Sequence, residues 1–383
     1  MKIAIDIRNV GKGRTGDEVV FFNLVKQLAL LDLTNNYLLL TDRKVDGDNL
    51  LQESLESLYL PANFSVVSLG EKGVNKFLWN AWVLPKYLRA HPVDILQTQY
   101  ITPFFVSKKI KIITIVHDVS FEVFPKLIGK ADLFFLKILI PMSLRRADKV
   151  IGVSEFTVSE IKKYYHIADE KLEWIHNAVA DNFTVDIPLT QLETVRKKYN
   201  LPQKFILYIG TLQPRKNLPA LIEAYIKIPT EKRAGIKLVL AGGKGKNYDT
   251  QIDEFIKNYS LQAEVLLPGF IDEKDKPALF KLAYVFCSPS LYEGFGITIL
   301  EAMTLGIPTL ASNIAPHLEI IDDAVLSFDV NNFADFSEKL TEIVFDEYLR
   351  DGLVRKELQQ AAKFSWRKTA QKTLEIYNKL IMK

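Results

Sequence analysis

Apolar residues along this chain gather in short unbroken runs rather than alternating with polar ones. In the first half the runs are 2–7, 37–41, 64–69, 95–98, 111–117 and 150–153; in the second half they are 205–209, 237–241, 265–267, 285–288, 309–311 and 326–328. Runs of this length that are apolar right through predict strands covered on both faces, which is the habit of parallel sheets. Stretches with helical spacing separate them. Strand and helix alternate from one end to the other, so the pattern predicts α/β architecture in doubly wound, Rossmann-like domains. Neither a short repeat nor a low-complexity segment interrupts it.

A chain of 383 residues is too long for one core. The period fades after about residue 182, a charged helical stretch follows, and a fresh strand starts past Pro202. The expected division is an N-terminal domain over 1–183, a linker region over 184–203, a second domain over 204–364, and a closing helix over 365–383. Two open α/β domains facing one another would gather the carboxyl ends of their strands around a cleft, where such sheets bind ligands, with hinge closure on binding.

Composition narrows the chemistry. A hydrophobic fraction of 48% and a charged fraction of 25% are those of a globular protein. Acids and bases nearly balance at +3, which argues against a nucleic-acid partner. The one cysteine, Cys287, sits in an apolar run and is expected as a buried, inert thiol. The five histidines, at 91, 117, 166, 176 and 317, show no metal-ligand spacing, so no metal site is expected. The chain opens directly on a strand and holds no apolar run of spanning length, so the expectation is a cytoplasmic enzyme without a signal peptide.

The densest candidate chemistry lies between Glu293 and Glu301, two acids with seven residues between them. Gly294-Phe295-Gly296 follows the first acid, just past the strand ending at Ser288-Pro289-Ser290. Glycines at a helix start leave backbone N–H groups unshielded, and such a turn can bind an anion. Glu301 lies about 7 Å further along the helix axis. Alone, an acid pair of this kind is more often the acidic first turn of a surface helix. Upstream, strand 205–209 runs into Gly210-Thr211-Leu212-Gln213-Pro214-Arg215-Lys216-Asn217, where a basic pair opening a helix can neutralise a phosphate leaving group or simply solvate a turn. Ala241-Gly242-Gly243-Lys244-Gly245 could approach a nucleotide or be a flexible loop, and Pro268-Gly269-Phe270 ends a third strand beside the same edge.

These stretches, with Gly306-Ile307-Pro308 and residues 324–329, occur in register in one family. The half-chain from Phe205 to Asp329 strongly resembles the retaining, nucleotide-sugar-dependent glycosyltransferases of family 4, which have the two-domain GT-B fold. The resemblance implies that Glu293 contacts the transferred sugar, with Gly294 and the N–H groups of Phe295, Gly296 and Ile297 near sugar and diphosphate. It implies that Glu301 takes the ribose hydroxyls, that Lys216 holds the diphosphate, and that Thr211, Gly269 and Phe270 line the donor. Many members carry arginine where this chain has Thr211; Arg215 is expected to supply that charge. The donor implied is a nucleoside diphosphate hexose, GDP-mannose ahead of UDP-glucose or UDP-N-acetylglucosamine, with no cofactor or metal. A front-face displacement is implied, in which the diphosphate takes the acceptor's proton.

In the first half, Asp6-Ile7-Arg8 ends a strand and Gly11, Gly13 and Thr15-Gly16 precede a helix. The resemblance places Gly16 at the donor diphosphate, but Asp17-Glu18 replace the usual residues and put negative charge there, pointing to an altered acceptor site. His117, in Val116-His117-Asp118, matches a histidine that touches the transferred sugar. His176 stands where relatives have proline and takes no role. Trp366 is expected as an anchor between the domains on the last helix. The aromatic and basic stretches 77–92 and 131–146 are expected to pack on the domain core; the alternative is peripheral contact with the inner face of a membrane carrying a lipid-linked acceptor. The function implied is transfer of a hexose, mannose first, to a glycan or glycolipid hydroxyl in polysaccharide synthesis. The alternatives are a GT-B epimerase or hydrolase acting on a UDP-N-acetylhexosamine, and a non-catalytic nucleotide-sugar binder.

Overall fold

The computed structural model describes residues 1–13, 16–70, 73–184, 186–245 and 247–382. They form two compact units, one of Met1–Asn177 with Ser365–Lys383 and the other of Ala178–Phe364. Each is built on one parallel sheet.

In the first unit the strands are β1 (Lys2–Asp6), β2 (Asn36–Thr41), β3 (Phe64–Ser68), β4 (Ile95–Gln99), β5 (Lys111–Val116), β6 (Lys149–Gly152) and β7 (Leu172–Trp174), in the order β3-β2-β1-β4-β5-β6-β7. The second holds β8 (Phe205–Ile209), β9 (Lys237–Ala241), β10 (Val265–Leu266), β11 (Val285–Ser288), β12 (Thr309–Ser312) and β13 (Leu326–Phe328), in the order β10-β9-β8-β11-β12-β13. The twelve apolar runs are all strands, within a residue or two at their ends. Only β7 is unforeseen: it is three residues long at a sheet edge and part-exposed, so it carries no continuous apolar run. The strand order reverses between β1 and β4 and between β8 and β11, and at such switch points the loops diverge and leave a crevice at the carboxyl ends.

The core of the second unit follows from the same runs. Ile206, Leu238, Leu240 and Leu310 are fully buried, and helices Leu218–Lys227 and Phe333–Phe345 close over them with Leu221, Ile222 and Leu340. Each such side chain contributes roughly 1.5–3 kcal/mol by leaving water.

Two helical segments of the first unit depart from the expected core packing. In Lys130–Arg146, Ile140 and Leu144 enter the core while Phe134, Phe135 and Ile138 face solvent. In the stretch from Lys76 to Ala90, Trp79, Leu84 and Leu88 are buried whereas Phe77, Leu78 and Trp82 are exposed. Residues Trp79–Val83 form a π turn. Its exit is Pro85, which has no N–H to give, so the ladder reorganises just before it.

The closing helix Trp366–Ile381 belongs to the first unit. Ser365 caps it, Thr369 donates to the His176 carbonyl at 2.7 Å, and Tyr377 donates to the Gln97 side chain. Trp366 is buried.

Candidate functional site

The residues singled out in the second unit converge where β8 and β11 end. Past β8 the chain makes a short 3₁₀ turn, Pro214–Lys216, then Asn217 in the left-handed region, then the helix Leu218–Lys227. This turn swings both cations toward the loop after β11. Lys216 Nζ donates to Glu293 Oε1, and Arg215 reaches Glu293 Oε2 at 3.2 Å and the Tyr292 carbonyl at 3.0 Å. Ser290 Oγ adds a third donor to Glu293, at 2.8 Å. The Glu293 side chain is 14% exposed. Burial alone would raise it, but Lys216, Arg215 and the nearby His317 outweigh burial and hold it at about 2.

Behind this cluster stands His317, which the sequence pattern did not mark. It is fully buried, with Nδ1 3.0 Å from the Ser312 carbonyl and 3.1 Å from its hydroxyl, while Nε2 has no partner. Ser312 Oγ donates to the Ser290 carbonyl at 2.6 Å, tying the histidine's loop to that of Glu293. Burial drives His317 down to about 4, so it is neutral at pH 7. Gly296 has φ 98°, and a methyl there would meet the His317 ring at 3.1 Å; the turn needs glycine on both counts.

The helix Ile297–Thr304 begins immediately after Gly296, with Glu301 its fifth residue. Phe295 is buried, its ring edge-on to Phe364, and so fixes the turn. Glu301 is buried with one carboxylate oxygen unpartnered. Burial raises it to about 7, opposed by Lys276, and Glu273 adds to the rise. Lys276, itself buried and bonded to Glu273 at 2.8 Å, is another member of this cluster that the sequence reading did not single out. A lysine at the start of a mostly apolar helix (Lys276–Leu282) was the available signal.

The remaining turns frame this edge. Thr211 is exposed and its carbonyl accepts from Tyr208 at 2.9 Å. Phe270 is exposed and Gly269 has φ 81°. The Gly269 carbonyl accepts from Gly242 N–H at 2.9 Å. A methyl on Gly242 would collide with the Gly210 carbonyl, so its role is close packing of the β8 and β9 ends rather than flexibility.

The first unit gathers its own polar group at the ends of β1, β4 and β5. Asn9 donates to Asp17 at 2.9 Å and to the Gln99 side chain. His117 Nε2 and Gln99 Nε2 are buried without partners. Burial lowers the His117 pKa while Asp17 and Asp118 work the other way. Glu18 turns back to accept the Gly11 N–H at 2.7 Å, leaving Asp17 as the acid of this group. Gly16 precedes the helix Asp17–Leu31 with φ 81°, and Thr15 lies outside the described residues. Asp6 is bound by Arg8 at 2.9 Å and by the Trp79 indole at 3.1 Å. Among the described residues no cluster of His, Cys, Asp and Glu could hold a metal ion.

Comparison with known proteins adds identity to this geometry. The family model described as "Glycosyl transferases group 1" matches residues 192–363, and that described as "Glycosyltransferase Family 4" matches 16–183. The O-antigen chain mannosyltransferase B of Escherichia coli is 30% identical over 268 residues, covering 70% of each chain. The serotype-specific mannosyltransferase WbdA of Escherichia coli is 34% identical over 238 residues, 62% of this chain and 29% of that protein. Among solved structures, a glycosyltransferase from Rickettsia africae ESF-5 aligns with a TM-score of 0.73 at 21% identity, over 99% of this chain and 98% of its own. Anabaena HepE, in complex with UDP and glucose, aligns at 0.72 and 17%, over 99% and 100%. Both share the fold.

Proposed function

The chain belongs to the group 1, family 4 glycosyltransferases of GT-B fold, and from that membership we propose that it transfers mannose from GDP-mannose, with retention and without a metal, to a hydroxyl of a growing glycan or glycolipid. One observation carries the reading: Lys216 and Arg215 meet on Glu293 beside the Gly-Phe-Gly turn at a sheet switch point. Two cations on one carboxylate leave a single positive excess, suited to a diphosphate that competes for them. As the bond from anomeric carbon to phosphate breaks, charge grows on the diphosphate, and the same cations stabilise it there more than in the ground state. Glu293, released from part of its pairing, is then a strong acceptor for sugar hydroxyls, while Glu301 is the acceptor for the ribose. Mannose is favoured because the Escherichia coli relatives are mannosyltransferases. A role in polysaccharide synthesis follows from the same analogy.

The test is a donor panel scored by nucleotide release, with product anomers read by NMR. GDP-mannose should turn over fastest and give the retained anomer. Glu293→Gln and Lys216→Ala should each lower turnover by about a hundredfold or more. Near-normal turnover in either variant, or preference for a UDP-sugar, would overturn the corresponding part.

A further inference from the structure

We propose, resting on the function set out above, that His317 is a positioning residue for transfer: its Nδ1–H braces the loop of Glu293, and its ring supports the Gly-Phe-Gly turn. His317 is the third residue of the helix Ala315–Ile321, just past β12, and it is fully buried. Two oxygens face its Nδ1, the Ser312 carbonyl at 3.0 Å and the Ser312 hydroxyl at 3.1 Å. The carbonyl can only accept, and the hydroxyl gives its proton to the Ser290 carbonyl at 2.6 Å. Both oxygens are therefore acceptors toward the ring, so Nδ1 carries the hydrogen and Nε2 is a bare lone pair. Ser290 carries the contact onward, its own hydroxyl donating to Glu293 at 2.8 Å. Ser290 and Ser312 are fully buried as well, so bulk water does not compete for these bonds.

The other edge of the ring lies against the turn. A methyl on Gly296 would stand 3.1 Å from Cδ2 of His317 and 3.5 Å from Nε2. One imidazole thus spans from the support of Glu293 to the glycine that precedes the helix Ile297–Thr304. It sets the separation between the carboxylate proposed to hold the transferred sugar and the amides proposed to face sugar and diphosphate. Packing alone does not account for a histidine here. Leucine would fill a similar space, and it would not leave Nε2 buried without a partner. What leucine lacks is the Nδ1–H. Burial is the main reason that His317 titrates at about 4, against the pull of Glu293 and the Ser312 carbonyl, with Lys216 adding to the fall. The ring therefore braces the loop while neutral, and adds no third cation to compete with Lys216 and Arg215 for the Glu293 carboxylate.

The experiment joins nitrogen-15 NMR of the full chain, labelled at histidine, to the kinetics of two variants. One imidazole should be neutral, protonated at Nδ1 and bare at Nε2, from about pH 8 to about pH 5, and His317→Asn should remove its signals. His317→Leu keeps the volume and loses the bond. It should lower turnover of GDP-mannose by about tenfold or more while affinity for GDP alone stays within about twofold. His317→Asn, whose amide can still donate to the Ser312 carbonyl, should restore turnover to within about threefold of the wild type. A side chain needed only for folding would lower GDP affinity and turnover together, and asparagine would do no better than leucine. Either of those results would overturn the proposal, as would a ring that is charged or protonated at Nε2 at pH 7, or wild-type turnover in His317→Leu. A wild-type chain inactive on GDP-mannose would refute the proposed donor instead, and the tautomer seen by NMR would then decide the brace by itself.

Discussion

Glu293 and Glu301 lie on one loop-helix unit, yet their surroundings shift their titration in opposite directions. Glu293 has Lys216 and Arg215 in contact and is held at about 2; Glu301 is buried with an unpartnered oxygen and is pushed to about 7. The second shift has a thermodynamic sign. Between the ordinary value of 4.5 and about 7 the folded chain keeps the Glu301 proton while the unfolded chain loses it. This group's contribution to stability therefore falls as pH rises through that window and stays reduced above it. Glu301→Gln should raise the melting temperature at pH 8 by about 2 °C or more, with no gain below pH 4.5. The same variant should weaken donor binding by about tenfold or more, because a neutral amide is a poorer acceptor for two hydroxyls. An unchanged melting temperature at pH 8 would show that Glu301 is already relaxed by water or by Lys276. Of the candidate site, Glu293 and the basic pair could be read from the sequence because they stand in turns that follow strands, and Glu301 from its spacing into the next helix. His317 could not, because its importance lies in what folds against it, and Lys276 left only the weak signal of a lysine at the start of a mostly apolar helix.

At the scale of elements, the continuous apolar runs decided nearly everything: strands buried on both faces have no room for polar alternation. β7 escaped because an edge strand escapes that constraint. The two aromatic helical segments misled in the opposite direction. Helical spacing predicts a buried face but not which side chains fill it, and in Lys130–Arg146 both faces carry apolar residues. Gly242 is another element-level surprise, since its lack of a side chain lets the ends of β8 and β9 come together. Gly242→Ala should destabilise the second unit by about 1–3 kcal/mol through overpacking. Denaturant unfolding followed at that unit would check it, and an unchanged midpoint would mean that the turn relaxes freely.

At the scale of the whole molecule, the chain enters the second unit at Ala178 and returns to the first at Ser365. The final helix buries Trp366, Ile376 and Tyr377 there, and large side chains lost from a core cost about 3–5 kcal/mol each. Ending the chain at Phe364 should therefore unfold the first unit while the second survives. Limited proteolysis would show rapid loss of fragments from residues 1–177 alone; uniform resistance would refute it. Among the described residues no helix is long and apolar enough to cross a membrane. What the sequence determined by itself is the α/β class, the strands and the family, and it marked the candidate acids and bases, because those depend on local periodicity and on glycines and charges at strand ends. The tertiary structure alone decided which charges meet, which carboxyl keeps its proton and which aromatics stay in water, because burial and pairing are set by residues far apart in the chain.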